Sequence, residues 1–181
     1  MSTRRMTPEQ AAEFTKQLSE NFKNLAGKDL KSLQVKLGQS AVGLAQAGVR
    51  AGTDPYGNPW KPIDTRFRTG QPLRATGNNI QKSWTAKAAS QGRSFNFGSR
   101  FQYIATHQYG ATIRAVNSKY MRIVTPNMIL YYRTVRIPRR QLVPEMDTGG
   151  LGPKWTKAFS RVVQRHMIKL FLKSLPPGET A

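Results

Sequence analysis

At 181 residues, 38% of them hydrophobic, the chain suits one domain with a real core, with or without extensions. A formal net charge of +20 and a pI near 11.0 point to polyanions or acidic protein surfaces as partners. The absence of cysteine excludes disulfides, zinc–thiolate sites and cysteine nucleophiles. There is no run of ~18 apolar residues and no apolar signal segment near Met1, so neither a membrane span nor export is expected, and maturation in a reducing cytoplasm is.

In chain order, Thr7-Pro8-Glu9-Gln10 reads as a helix start: Thr7 caps, Pro8 fits the first turn, and Gln10 completes a capping box. Phe14, Leu18, Phe22 and Leu25 keep helical spacing up to a stop at Gly27. A second helix is predicted from near Asp29 to about Arg50, with Leu30, Leu33, Leu37, Ala41, Leu44 and Gly48 on one stripe. Its Gly38, Gly43 and Gly48 either weaken it or let a neighbour approach closely.

Residues 52–77 are rich in Gly, Pro, Asn and Asp and read as a long connection, ordered by Trp60 and Ile63. Ile80–Ala86 and Ser94–Gly98 alternate like strands around a turn at Ser90–Arg93. A short helical turn through Tyr103, Ile104, His107 and Gln108 ends at Gly110. Met121–Val124 and Met128–Tyr132 are predicted strands joined by Thr125-Pro126-Asn127, and Thr134–Ile137 adds an edge or extended segment closed by Pro138. A loop at Glu145–Pro153 precedes the strongest helical pattern, from Pro153 to Leu175, with Trp155, Phe159, Val162, Val163, Leu170 and Phe171 on its apolar face. The domain division is then a helical extension at 1–28, one domain at 29–175 and a tail at 176–181.

Charge is distributed unevenly. Between Asp64 and Glu145 there is no acidic residue, while Arg114, Arg122, Arg133, Arg136, Arg139 and Arg140 fall within that span. In the last helix Lys157, Arg161, Arg165, Lys169 and Lys173 recur at every fourth position and form a slowly winding ridge. The ridge reads equally well as an ordinary solvated face; read as functional, these eleven cations are the candidates for facing DNA or an acidic partner. Point charges suffice for that role, so readout of base sequence is not implied. Phe67, Phe95, Phe101, Tyr103, Tyr120, Tyr131 and Tyr132 interleave with the basic residues; packing is the better reading for them than stacking on single strands.

Catalytic chemistry is hard to assemble from nine acidic residues and two histidines. His107 and His166 are far apart and in no metal-binding spacing. Asp54 is better explained by the turn Asp54-Pro55-Tyr56-Gly57 than by a carboxylate pair with Asp64. No phosphate-binding glycine loop or nucleophile elbow is present. The expectation is a protein without catalytic residues, metal or cofactor.

Four motifs in order carry a family resemblance. They are Asp54-Pro-Tyr-Gly57-Asn-Pro-Trp60, Leu73-Arg-Ala-Thr76-Gly77 running on to Ser83, His107-Gln108-Tyr109-Gly110, and Ile137-Pro138-Arg139-Arg140. Together, over about Leu30–Leu175, they resemble the Mu-type virion morphogenesis, or tail-completion, proteins of tailed bacteriophages, with Ile80 in a leucine position. The resemblance implies an α+β fold: a small antiparallel sheet flanked by helices, with N-terminal helices and a long C-terminal amphipathic helix. It implies a structural virion protein that forms a ring in the neck, six-fold in preference to twelve-fold, and enables head–tail joining. Its partners would be itself, other neck, connector and tail proteins, and DNA passing through the lumen, with assembly in the host cytoplasm. Asp54, Gly57, Trp60, Thr76, Gly77, His107, Gln108, Tyr109, Gly110 and Pro138 are the family-like positions expected to shape the fold or its contacts with subunits and partners. The rival reading is a sequence-nonspecific nucleic-acid-binding protein that assists packaging.

Overall fold

A computed structural model of the chain describes Lys16, Glu20 and residues 28–67, 69–73, 79–89, 94–125, 128–145 and 150–174. The expected first helix lies outside these residues, except that Lys16 and Glu20 are helical and exposed; the expected tail at 176–181 lies wholly outside them.

Helix α1 spans Lys28–Ala51, and Asp29 in its first turn and Arg50 in its last complement its dipole. It ends at Gly52, which has a left-handed φ of 68° and donates to the Gly48 carbonyl at 2.9 Å. Its fully buried line is Gln34, Gly38, Ala41, Ala45 and Val49, and the leucines of the predicted stripe flank that line half-buried. Small residues occupy the centre because a β-ribbon presses there.

That ribbon pairs β1 (Trp84–Ala88) with β2 (Phe95–Ser99), antiparallel from Trp84–Ser99 to Ala88–Phe95. A Cβ placed on Gly38 would sit 2.8 Å from the Ala86 Cβ, so Gly38 sets the approach distance. A Cβ on Gly43 would meet nothing within 4 Å, so only Gly38 of the two serves close approach.

The strand expected at Ile80–Ala86 is a correction: the one-turn helix α2 (Asn79–Lys82) comes first, and the strand begins at Trp84. Ser83 closes that turn by donating its hydroxyl to the Ile80 carbonyl at 2.8 Å, and Ile80 is buried in the core.

The helix α4 (Gly152–Ser174), with Pro153 in its first turn, packs against α1 and meets the same face of the ribbon that α1 covers. Trp84 stacks on Phe97 at 5.1 Å, Phe97 meets Trp155 edge-on at 6.1 Å, and Phe95 meets Phe159 at 6.4 Å. Trp60, Leu73, Ile80 and Leu142 complete the core. The aromatics of the ribbon are therefore packing residues.

The helix α3 (Ile104–Tyr109) is as predicted and ends at Gly110. Beyond it come β3 (Ala111–Arg114), β4 (Met121–Val124), β5 (Ile129–Tyr132) and β6 (Thr134–Ile137). β3 pairs with β6 and β4 with β5, both antiparallel. The architecture is α+β, but the expected single sheet is three two-stranded ribbons among the described residues. Thr134–Ile137 is a paired strand, joined to a β3 that sequence patterning did not reveal.

Candidate functional site

Three of the family-like motifs converge. Asp54 folds its own turn: one carboxylate oxygen accepts from the backbone N–H groups of Tyr56 at 2.9 Å and Asn58 at 2.8 Å, and the other from Asn58 Nδ2 at 2.9 Å. Gly57 supplies the φ of 101° that closes the turn. The turn aims Trp60 inward, where it is buried and its indole N–H donates to the Gln141 carbonyl at 3.0 Å. Tyr56 reaches the other way and donates its hydroxyl to the Gly150 carbonyl at 3.1 Å, beside the start of α4.

His107-Gln108-Tyr109-Gly110 then docks onto residues 137–145. The Gln108 side chain, only 3% exposed, accepts from the N–H of Leu142 at 2.8 Å and of Val143 at 3.2 Å. Its amide donates to the Val143 carbonyl at 3.1 Å and to Glu145 Oε1 at 2.8 Å. The Arg140 N–H donates to the His107 carbonyl at 2.7 Å. At Gly110, with φ 76°, a Cβ would come within 3.1 Å of the Arg139 N and the Ile137 O, so the two segments touch backbone to backbone. Gln108, Trp60, Asp54, Gly57 and Gly110 are thus structural within the protomer. Tyr109 differs, being 69% exposed, and half-buried Pro138 lines the cleft described next. Thr76 and Gly77 lie outside the described residues.

The junction opens into a cleft of about 1250 Å³. Pro62, Phe67 and Leu73 form one wall, Ile123, Val135 and Ile137 another, and His107 sits at its base beside Tyr109. Burial, then the charge of Arg140, pulls the His107 pKa below its ordinary value, so the ring is held neutral.

Among the described residues, the carboxylates near the cleft are engaged by their neighbours. Asp64 clamps Arg66 at 2.6 Å, and this hydrogen bond lowers its pKa. Glu145 pairs with Arg139 and holds Gln108. Asp54 is committed to its turn. Among the described residues no three His, Cys, Asp or Glu side chains gather where a metal ion could be held, and no helix is long and apolar enough to cross a membrane.

The candidate cations fall into two groups. Arg114, Arg122 and Arg136 stand exposed on the β3–β6 and β4–β5 ribbons, and Arg133 is exposed between β5 and β6. Arg133, together with Lys119, lies over the Tyr120 ring, at 5.5 and 5.7 Å. Lys157, Arg161, Arg165 and Lys169 are exposed along α4, while the Lys173 side chain lies outside the described residues. Arg139 is exposed but ion-paired. Arg140 is a correction: at 7% exposed it does not face outward, and it donates to the Lys61 carbonyl at 3.4 Å. Its guanidinium holds the loop at Lys61 to the 137–145 segment. Sequence reading also missed the cleft, because its walls come from segments about 60 residues apart.

A family model described as the phage virion morphogenesis family matches residues 9–167. Neither curated proteins nor solved structures give a match. With three of its four sequence motifs drawn into one hydrogen-bonded junction and most of its length covered, the chain belongs to the phage virion morphogenesis family, and its role is a structural one in building the phage particle.

Proposed function

We propose that the protein is a joint of the virion neck: a homo-oligomeric ring at the head-proximal end of the tail that completes the tail and lets head and tail connect. A six-fold ring is preferred to a twelve-fold one on family analogy alone. It acts by shape and charge complementarity, without turnover or cofactor. The observation that carries this reading is the surface a lone protomer leaves uncovered. Tyr103 just before α3 and Tyr109 at its end are exposed, and the last turns of α4 expose Ile168 and Leu172. A closed ring consumes two unlike patches per subunit, one on each side of a heterologous contact. The exposed cations fit either a DNA channel or acidic neighbouring rings.

Electron microscopy of lysates from a phage lacking this gene tests the proposal. Filled heads beside separate tails, restored to joined particles by adding purified protein, are the expected result. Normally joined particles, or heads without packaged DNA, refute it.

A second reading, sequence-nonspecific nucleic-acid binding in support of packaging, draws on the exposed ridge of Lys157, Arg161, Arg165 and Lys169. It requires binding to free duplex that weakens steeply with salt, with a slope of roughly −0.9 in log K per phosphate contact. A joint leaves free duplex unbound at moderate salt.

A further inference from the structure

Residues 111–125 and 128–137 form one long β-arm. β3 and β6 pair from Ala111–Ile137 to Arg114–Thr134, and β4 and β5 from Met121–Tyr132 to Val124–Ile129. Where the two ribbons join, the Ala115 N–H donates to the Arg133 carbonyl at 3.1 Å. An isolated two-stranded hairpin is marginal in water unless something packs against it. The inner face has such a support: the Tyr132 ring meets Phe67 at 5.9 Å, and Ile123 and Val135 face the cleft.

The outer face has no such support among the described residues. Strand alternation places Arg122, Val124, Ile129 and Tyr131 together on the exposed side of β4–β5. Val124 is 66% and Tyr131 61% exposed, and Met128 beside them is also open. Arg114 and Arg136 stand on the exposed side of β3–β6. The arm therefore has an apolar tip and a cationic base, within a stretch of sequence that contains no carboxylate.

We propose that this arm is a docking finger for a different protein, whose receiving face is an apolar groove edged with carboxylates. Three occupants compete for the tip, and charge separates them. A second copy of the chain offers apolar Ile168 and Leu172 on α4, but these stand among Arg161, Arg165 and Lys169, and it offers Tyr103 and Tyr109, which lie within the acid-free stretch. Bringing like charges together at an interface costs several kcal/mol. Of the chain's carboxylates, the two that bound the acid-free stretch are taken, Asp64 by Arg66 and Glu145 by Arg139, and Asp54 is held in its own turn. Nucleic acid would satisfy the arginines but leave Val124, Met128 and Ile129 against a polyanion. An acid-rimmed apolar groove satisfies both halves of the arm, matching the apolar core and polar rim of protein interfaces. Tyr131 and Arg122, paired across the strands, belong to the residue types that most often anchor them. The assignment holds whether or not the chain forms a ring.

The test places p-benzoylphenylalanine at Tyr131 in the full chain. This variant is supplied during infection by a phage lacking its own copy, and the assembling lysate is irradiated. The expected result is a cross-link to a virion protein other than this chain, mapped by mass spectrometry to a site flanked by Asp or Glu. In parallel, the double variant Val124→Thr, Ile129→Glu should keep the wild-type melting temperature within ~2 °C and the wild-type oligomeric mass, because both side chains point outward and this cross-strand pair then carries only one charge. Its incorporation into particles should fall at least ~10-fold. A cross-link to a second copy, to nucleic acid or to a carboxylate-free site overturns the proposal. So does the absence of any cross-link, a double variant that changes oligomeric mass, or one that enters particles at the wild-type level.

Discussion

Gly38 and Gly43 lie five residues apart on α1, and replacing each with alanine should shift stability in opposite directions. In an open helical position the change removes a conformational penalty of about 1 kcal/mol. Gly43 is exposed and a Cβ there meets nothing within 4 Å, so Gly43→Ala should gain roughly that amount. At Gly38 the same gain is opposed by a contact of 2.8 Å with the Ala86 Cβ and one of 3.5 Å with the Phe95 ring. The Ala86 Cβ cannot rotate away, because it is fixed to the β1 backbone. Relief requires α1 and the β1–β2 ribbon to separate, and overpacking of this kind costs ~1–3 kcal/mol. The net effect of Gly38→Ala is therefore a loss of up to ~2 kcal/mol. For a chain of this length each kcal/mol is worth about 2–4 °C in melting temperature. Urea unfolding of both variants beside wild type resolves the difference. A Gly38→Ala protein that gains stability as Gly43→Ala does, by about 1 kcal/mol, would show that the ribbon does not press on α1 as described.

Gln108→Leu leaves the buried N–H groups of Leu142 and Val143 without acceptors and should cost about 2–3 kcal/mol in denaturant unfolding, far more than a surface change. Trp60→Phe keeps an aromatic ring in the core but removes the 3.0 Å donation to the Gln141 carbonyl; a loss of about 1 kcal/mol is expected. Acidification should destabilise the fold through both histidines. The pKa of His107 is lowered by burial and then by Arg140, and that of His166 by burial and then by Lys36, whose Nζ lies 3.4 Å from its Nδ1. Because both folded values lie below the ordinary 6.5, the unfolded chain takes up more protons as pH falls. Stability is thus complete above 6.5 and declines as pH drops through the folded values. Melting temperatures measured from pH 7.5 downward check this, and His107→Gln should flatten the decline.

Much of the fold was legible from local pattern. α1, α3, α4 and the β4–β5 hairpin carry their own periodicity, caps and turn residues, so each announces itself within a few residues. The Asp54 turn was legible for the same reason: the side chain bonds backbone only two to four residues ahead. The family resemblance likewise rested on short motifs read in order. The segment at Ile80–Ala86 misled because its alternation suits a strand, while Ser83 bonding back to Ile80 makes the first half a helical turn.

What only the tertiary structure decided depends on partners distant in sequence. β3 is four residues of weak pattern and exists because β6 pairs with it. Gln108 is buried because residues 142–145 consume its amide, and Arg140 turns inward toward the Lys61 carbonyl although it lies in a run of exposed arginines. Composition and local spacing determined that the chain is basic, α+β in its elements and acid-free through its middle. Which of its charges face outward, and which glycine of α1 touches a neighbour, were decided by long-range packing, because burial belongs to the contact between segments and not to either one alone.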